Sequence, residues 1–105
     1  MDEYKIRYTT NAIEDLMEIR HYLLFELQDS IIAEKFINSI CEEIRKLSQL
    51  PRRFQIVESS PWKERNTHRM IVENHLVFYQ IDDENKVVYI SRVLSCRQNI
   101  NNIKS

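Results

Sequence analysis

Residues 68–99, HRMIVENHLVFYQIDDENKVVYISRVLSCRQN, decide the fold. Val, Ile, Tyr and Phe dominate the runs 69–73, 75–81 and 87–94, and the breaks between them are Glu73-Asn74 and Asp82-Asp83-Glu84-Asn85. Asn and Asp tolerate left-handed backbone, so the breaks read as hairpin turns and the stretch as three consecutive antiparallel strands. Arg69, Arg92 and Arg97 punctuate this otherwise apolar run. Such a meander needs an upstream element to cover one of its faces.

That cover is legible as two helices. An alternating strand, Tyr4-Lys5-Ile6-Arg7-Tyr8, comes first, and Asn11 with Glu14 then forms an N-terminal capping pattern. The helix it opens runs to about Gln28, with Ala12, Ile13, Leu16, Met17, Ile19, Leu23, Leu24 and Leu27 on one broad apolar face and Tyr22 and Phe25 off it. Asp29 or Ser30 caps a second helix whose stripe is Ala33, Phe36, Ile37, Ile40, Cys41, Ile44 and Leu47, and Pro51 closes it. The short polar junction predicts an antiparallel helical hairpin. The expected fold is α+β, in the order β-α-α-β-β-β, with the hairpin packed on one face of a small, mainly antiparallel sheet and the other face largely open. Residues 52–67, with Pro61 and the lone Trp62, make a long connection that reads equally as a functional loop or as an ordinary connector shortened by a turn at Phe54–Val57.

Composition narrows the function classes. A chain of 105 residues fits one domain, 1–105. It lacks an apolar run long enough to span a membrane and the pattern of a secretory leader, so the expected compartment is the cytoplasm. Cys41 and Cys96 belong to no metal-ligand spacing, so no metal site and no disulfide is expected. Glycine is absent altogether, and phosphate-cradling loops depend on it, so no nucleotide cofactor is expected. The net charge of −1 is unevenly distributed: residues 11–50 carry net −4 and residues 51–105 net +3.

Five segments in this order, YKIRYTTNAIEDLMEI, IRKLSQLPRR, HRMIV, NHLVFYQID and VVYISRVLSCRQN, resemble the RelE/ParE superfamily of bacterial type II toxins over nearly the whole chain. The close RVLSCRQN is similar to the RVLH-type ending of the ParE, or plasmid-stabilisation, branch, with Ser95 where His is frequent and Asn99 where Asp is common. The resemblance implies a growth-inhibiting toxin silenced by a cognate antitoxin. It also implies one of two activities. One is poisoning of DNA gyrase by binding, as in the ParE branch. The other is metal-free, ribosome-dependent cleavage of messenger RNA, as in the RelE branch. A third reading is an inactive scaffold that only binds the antitoxin.

For the nuclease, the resemblance implies Arg69 and Arg92 as phosphate-stabilising cations and His68, His75 and Tyr79 as candidate proton carriers, because in-line attack by a 2′-hydroxyl needs a base, an acid and charge neutralisation. The family nucleases close with a catalytic Tyr or His near the C-terminus, whereas this chain ends RQNINNIKS. For partner binding, the candidates are Tyr22, Phe25, Trp62, Arg69, Arg92 and Arg97. Each has a plainer account. The arginines could pair with acids, the histidines could be strand-end residues in solvent, Tyr79 could be core, and Trp62 could anchor its loop.

Overall fold

The computed structural model describes residues 3–96. Strand β1 (Lys5–Tyr8) leads into helices α1 (Thr10–Leu27) and α2 (Ser30–Arg45), two short 3-10 turns at Lys46–Ser48 and Pro51–Arg53, and strands β2 (His68–Val72), β3 (His75–Asp82) and β4 (Val87–Ser95). The sheet order is β1-β4-β3-β2. β1 is parallel to β4, and the other pairings are antiparallel, so the expected α+β meander beneath a helical hairpin is the observed one. Among the described residues, no helix is long and apolar enough to cross a membrane.

Local chemistry places each boundary. The N-cap of α1 is Thr9 rather than Asn11. Its hydroxyl accepts the Ala12 N–H at 3.1 Å and lies 3.0 Å from the carbonyls of both Ile90 and Ser91. A cap that also reaches β4 ties the helix to the sheet, which the Asn11–Glu14 pattern cannot do. Of the two cap candidates, Asp29 and Ser30, it is Asp29 that caps α2, by accepting from Ile31 and Ile32. Without glycine, the left-handed positions fall to Gln28 at the end of α1, Glu73 and Asn74 in the β2–β3 turn, Asn66, and Lys86. The β3–β4 turn is tied down by the Asp83 carboxylate, which accepts from Arg52 and from the Tyr4 hydroxyl. These contacts hold its pKa down at about 2.

The helix-side face of the sheet contributes Met70, Val77, Tyr79, Val88, Ile90 and Val93, packed against Ala12, Ile40, Ile44 and Leu47. Ile13 and Met17, expected on the covered face of α1, are 48% and 62% exposed. The reason is geometric. The covered face of α1 is narrower than its apolar one: Ala12, Asp15, Leu16 and Ile19 point at the sheet, and Ile13 and Met17 fall to the side of that stripe, while from Arg20 to Ile32 no residue is fully buried. The sequence also predicts an open second sheet face, and the structure closes part of it. Trp62 stacks on Phe78 with ring centroids 4.4 Å apart, and with Leu76, Leu94 and Val57 forms a second, smaller core. The long connection is thereby anchored. Ile56 bridges to His68, and Val57 donates to the Thr67 carbonyl at 2.8 Å.

Candidate functional site

The alternation of β2 and β3 sends the candidate residues to two different faces. His68 pairs in register with Tyr79, and Val72 with His75, all on the helix side, whereas Arg69 pairs with Phe78 on the opposite side. His68 and Tyr79 stack with ring centroids 5.2 Å apart. The Nδ1–H of His68 donates to the Phe54 carbonyl at 2.8 Å, which fixes that nitrogen as the protonated one. His75 donates likewise to the Glu73 carbonyl at 2.7 Å and meets the Phe36 ring edge-on at 5.4 Å. Tyr79 is fully buried, and its hydroxyl donates to the Pro51 carbonyl at 2.6 Å. Burial pushes the Tyr79 phenol up to about 12. Proton exchange with a substrate at neutral pH would need the reverse of this arrangement: a phenol reachable from solvent and poised near the working pH.

Arg92 is held in a partly buried ion pair. A register shift between Phe78 and Tyr79 sets Tyr79 opposite Ile90 and Phe78 opposite Arg92, leaving Ser91 as the extra residue of a β-bulge. Just beyond it, Arg92 Nε donates to Asp15 Oδ2 at 2.7 Å and Nη2 to Oδ1 at 3.0 Å, a two-pronged pair. The same carboxylate accepts the Val93 N–H at 3.0 Å. Asp15 is 8% exposed, and its acceptance of Arg92's protons raises the guanidinium further above its already high pKa. Sequence reading misses Asp15 as a site-shaping residue. The signal was its position: an acid three residues after Ala12 and four before Ile19, on the inward face of a helix whose other inward residues are apolar.

Arg69 is exposed, and among the described residues its side chain has no carboxylate partner, while its backbone N–H bonds the Gln55 carbonyl at 3.0 Å. Trp62 is 4% exposed and faces inward. Tyr22 and Phe25 face outward, 53% and 78% exposed, near the turn of the hairpin, where from Arg20 to Ile32 no residue is fully buried; Ile31 and Ile32 are exposed at the start of α2, and Met17 earlier on α1. Arg97 lies outside the described residues. Among the described residues, no group of three His, Cys, Asp or Glu side chains could hold a metal ion. The five nuclease candidates therefore do not converge. Three sit beneath the helices, one is paired to α1, and one stands on the far face.

The model of the ParE toxin of type II toxin–antitoxin systems, parDE, matches residues 6–100. The chain belongs to this toxin family. Solved structures share the fold of this ParE-family chain. The chromosomal ParDE system of P. aeruginosa superposes with a TM-score of 0.72 at 18% identity, covering 90% of this chain and 98% of that one. The RelBE2 toxin–antitoxin complex of Mycobacterium tuberculosis gives 0.65 at 24% identity, covering 89% and 98%. The intact E. coli RelBE complex gives 0.59 at 13% identity, covering 90% and 99%. A search of curated proteins finds no match. Identities this low speak for the fold alone.

Proposed function

We propose that this ParE-family toxin arrests growth by binding DNA gyrase rather than by cutting messenger RNA. The observation that carries the reading is the dispersal of the nuclease candidates: Arg92 is neutralised by Asp15, and His68, His75 and Tyr79 are packed on the helix side of the sheet, opposite Arg69. In-line phosphoryl transfer needs its acid, base and cations around one phosphate. Poisoning by binding needs only a displayed surface, and Arg69 and the hairpin tip offer one.

A cognate antitoxin is the second partner in this reading, consistent with neighbours solved as toxin–antitoxin complexes. In this reading it seats on the exposed apolar side chains of the hairpin, Met17, Tyr22, Phe25, Ile31 and Ile32. Activity is placed in the cytoplasm, the chain acting as one domain. The test is to induce the chain alone and measure supercoiling by purified gyrase and the integrity of ribosome-bound message. Lost supercoiling with intact message supports the reading. Cut message with unaffected gyrase selects the nuclease and overturns it.

A further inference from the structure

The free face of the sheet carries a cationic strip that neither activity accounts for. β1 lies parallel to β4 with Lys5 beside Val87 and Arg7 beside Tyr89, and Gln80 of β3 lies opposite Tyr89. Residues two apart on a strand share a face, and so do partners in register. Ile6 and Tyr8 pack into the helix-side core. Lys5, Arg7 and Tyr89 therefore stand on the other side. Lys5 and Arg7 are exposed, and Tyr89 is 37% exposed. Among the described residues, neither cation has a carboxylate partner. Asp82, across Val87 from Lys5, is engaged by the backbone and side-chain amides of Asn85.

Two cations about 7 Å apart on a paired strand, beside an exposed phenol ring, match what a flexible polyanion with planar bases requires: neutralised phosphates and a stacking platform. The helix-side face of the sheet is covered by α1 and α2, whose span, residues 11–50, carries net −4. We propose that Lys5, Arg7 and Tyr89 bind single-stranded DNA, with two phosphates on the cations and one base on the ring. The inference rests on the gyrase reading for its choice of DNA: the toxin touches the DNA strand that gyrase exposes as well as the enzyme.

The test is fluorescence anisotropy of the full chain with a short fluorescein-labelled oligothymidine across a salt series. Two neutralised phosphates give a slope of log affinity against log salt of about −1.4, or roughly a sevenfold loss between about 50 and 200 mM. The variant Lys5→Gln/Arg7→Gln flattens the slope and weakens binding at least about tenfold at low salt. Tyr89→Ala weakens binding about fivefold or more with the slope unchanged. Lys35→Gln/Arg45→Gln removes the same charge from α2 and leaves binding unchanged. Equal binding by the Lys5/Arg7 variant, an equal loss in the α2 control, or preference for oligouridine RNA overturns the strip. Gyrase poisoning without oligothymidine binding sinks the strip and leaves the gyrase reading standing. Oligothymidine binding without gyrase poisoning does the opposite.

Discussion

Removing the Asp15 carboxylate is the sharpest perturbation this fold offers. Asp15→Ala removes both prongs of the Arg92 pair and the acceptor for the Val93 N–H in one step. Breaking a fully buried ion pair from one side costs about 3–5 kcal/mol, but the Arg92 side chain keeps 21% exposure, so water can reclaim part of its charge and about 2–3 kcal/mol is expected here. The orphaned Val93 amide, in a buried contact, adds about 1 kcal/mol. The total, about 3–4 kcal/mol, is a large share of the roughly 5–15 kcal/mol that stabilises a domain of this kind. Asp15→Asn keeps an acceptor and loses the charge, so about 2 kcal/mol is expected.

Urea unfolding measures these losses. With a slope of about 1–2 kcal/mol per molar for a chain of this size, Asp15→Ala moves the midpoint down by about 2 M or more. Trp62, the single tryptophan, is buried on its loop and reports on the sheet, and far-ultraviolet dichroism followed in parallel tests whether sheet and helices unfold together. The double variant Asp15→Ala/Arg92→Met leaves no unpaired charge, so it should cost about 2 kcal/mol less than the sum of the single changes. Single-variant losses below about 0.5 kcal/mol, or strict additivity, would refute the claim that this pair locks α1 to β4.

Three further outcomes follow from the same geometry. Glu73→Gly relieves a left-handed residue that carries a Cβ, so the strain released outweighs the added chain entropy by about 0.5–1 kcal/mol and calorimetry should show a melting temperature about 3–6 °C higher; an unchanged or lower value contradicts the assignment of strain to this turn. Tyr79 has its pKa raised by burial from about 10 to about 12, so its contribution is full below pH 10 and lost as pH rises through 12; Tyr79→Phe should remove one late-ionising phenol from the 295 nm titration and soften the alkaline loss of stability, and an unchanged titration refutes the burial argument. Phe25→Ser, at a side chain 78% exposed, should leave the melting temperature within experimental scatter while weakening antitoxin binding at least about tenfold by calorimetry; unaltered affinity removes the hairpin tip from that interface.

The meander and α2 were legible because their signals are local. Alternation fixes which side chains of β2 and β3 share a face, Asn and Asp mark the turns, and Asp29 stands next to the stripe it caps. The start of α1 misled because Asn11–Glu14 imitates a capping pattern, while the true cap, Thr9, is selected by its reach to Ile90 and Ser91, which no local window contains. The partner of Arg92 was hidden for the same reason: Asp15 lies 77 residues away, and a bulge aims the guanidinium at it. Trp62 reads from the sequence equally as an interface residue or a loop anchor, and its stacking on Phe78 anchors the loop. That it shields Phe78 and Leu94 depends on a connection with no periodicity to read.

This division of the arginines changes how a toxicity assay must be read. Arg92→Ala leaves the Asp15 carboxylate, 10% exposed, with only the Val93 amide, so a loss of growth arrest would follow from unfolding as readily as from a lost contact. Arg69 differs in kind. Its N–H is already bound to the Gln55 carbonyl through the backbone, which any residue but proline preserves, and its side chain stands in solvent. Arg69→Ala should therefore change stability by less than about 0.5 kcal/mol, as surface substitutions generally do. If that variant, folded and soluble, no longer arrests growth, the guanidinium touches the target. If it remains fully toxic, the target is recognised elsewhere on the free face, and Lys5 and Arg7 become the cations to remove next.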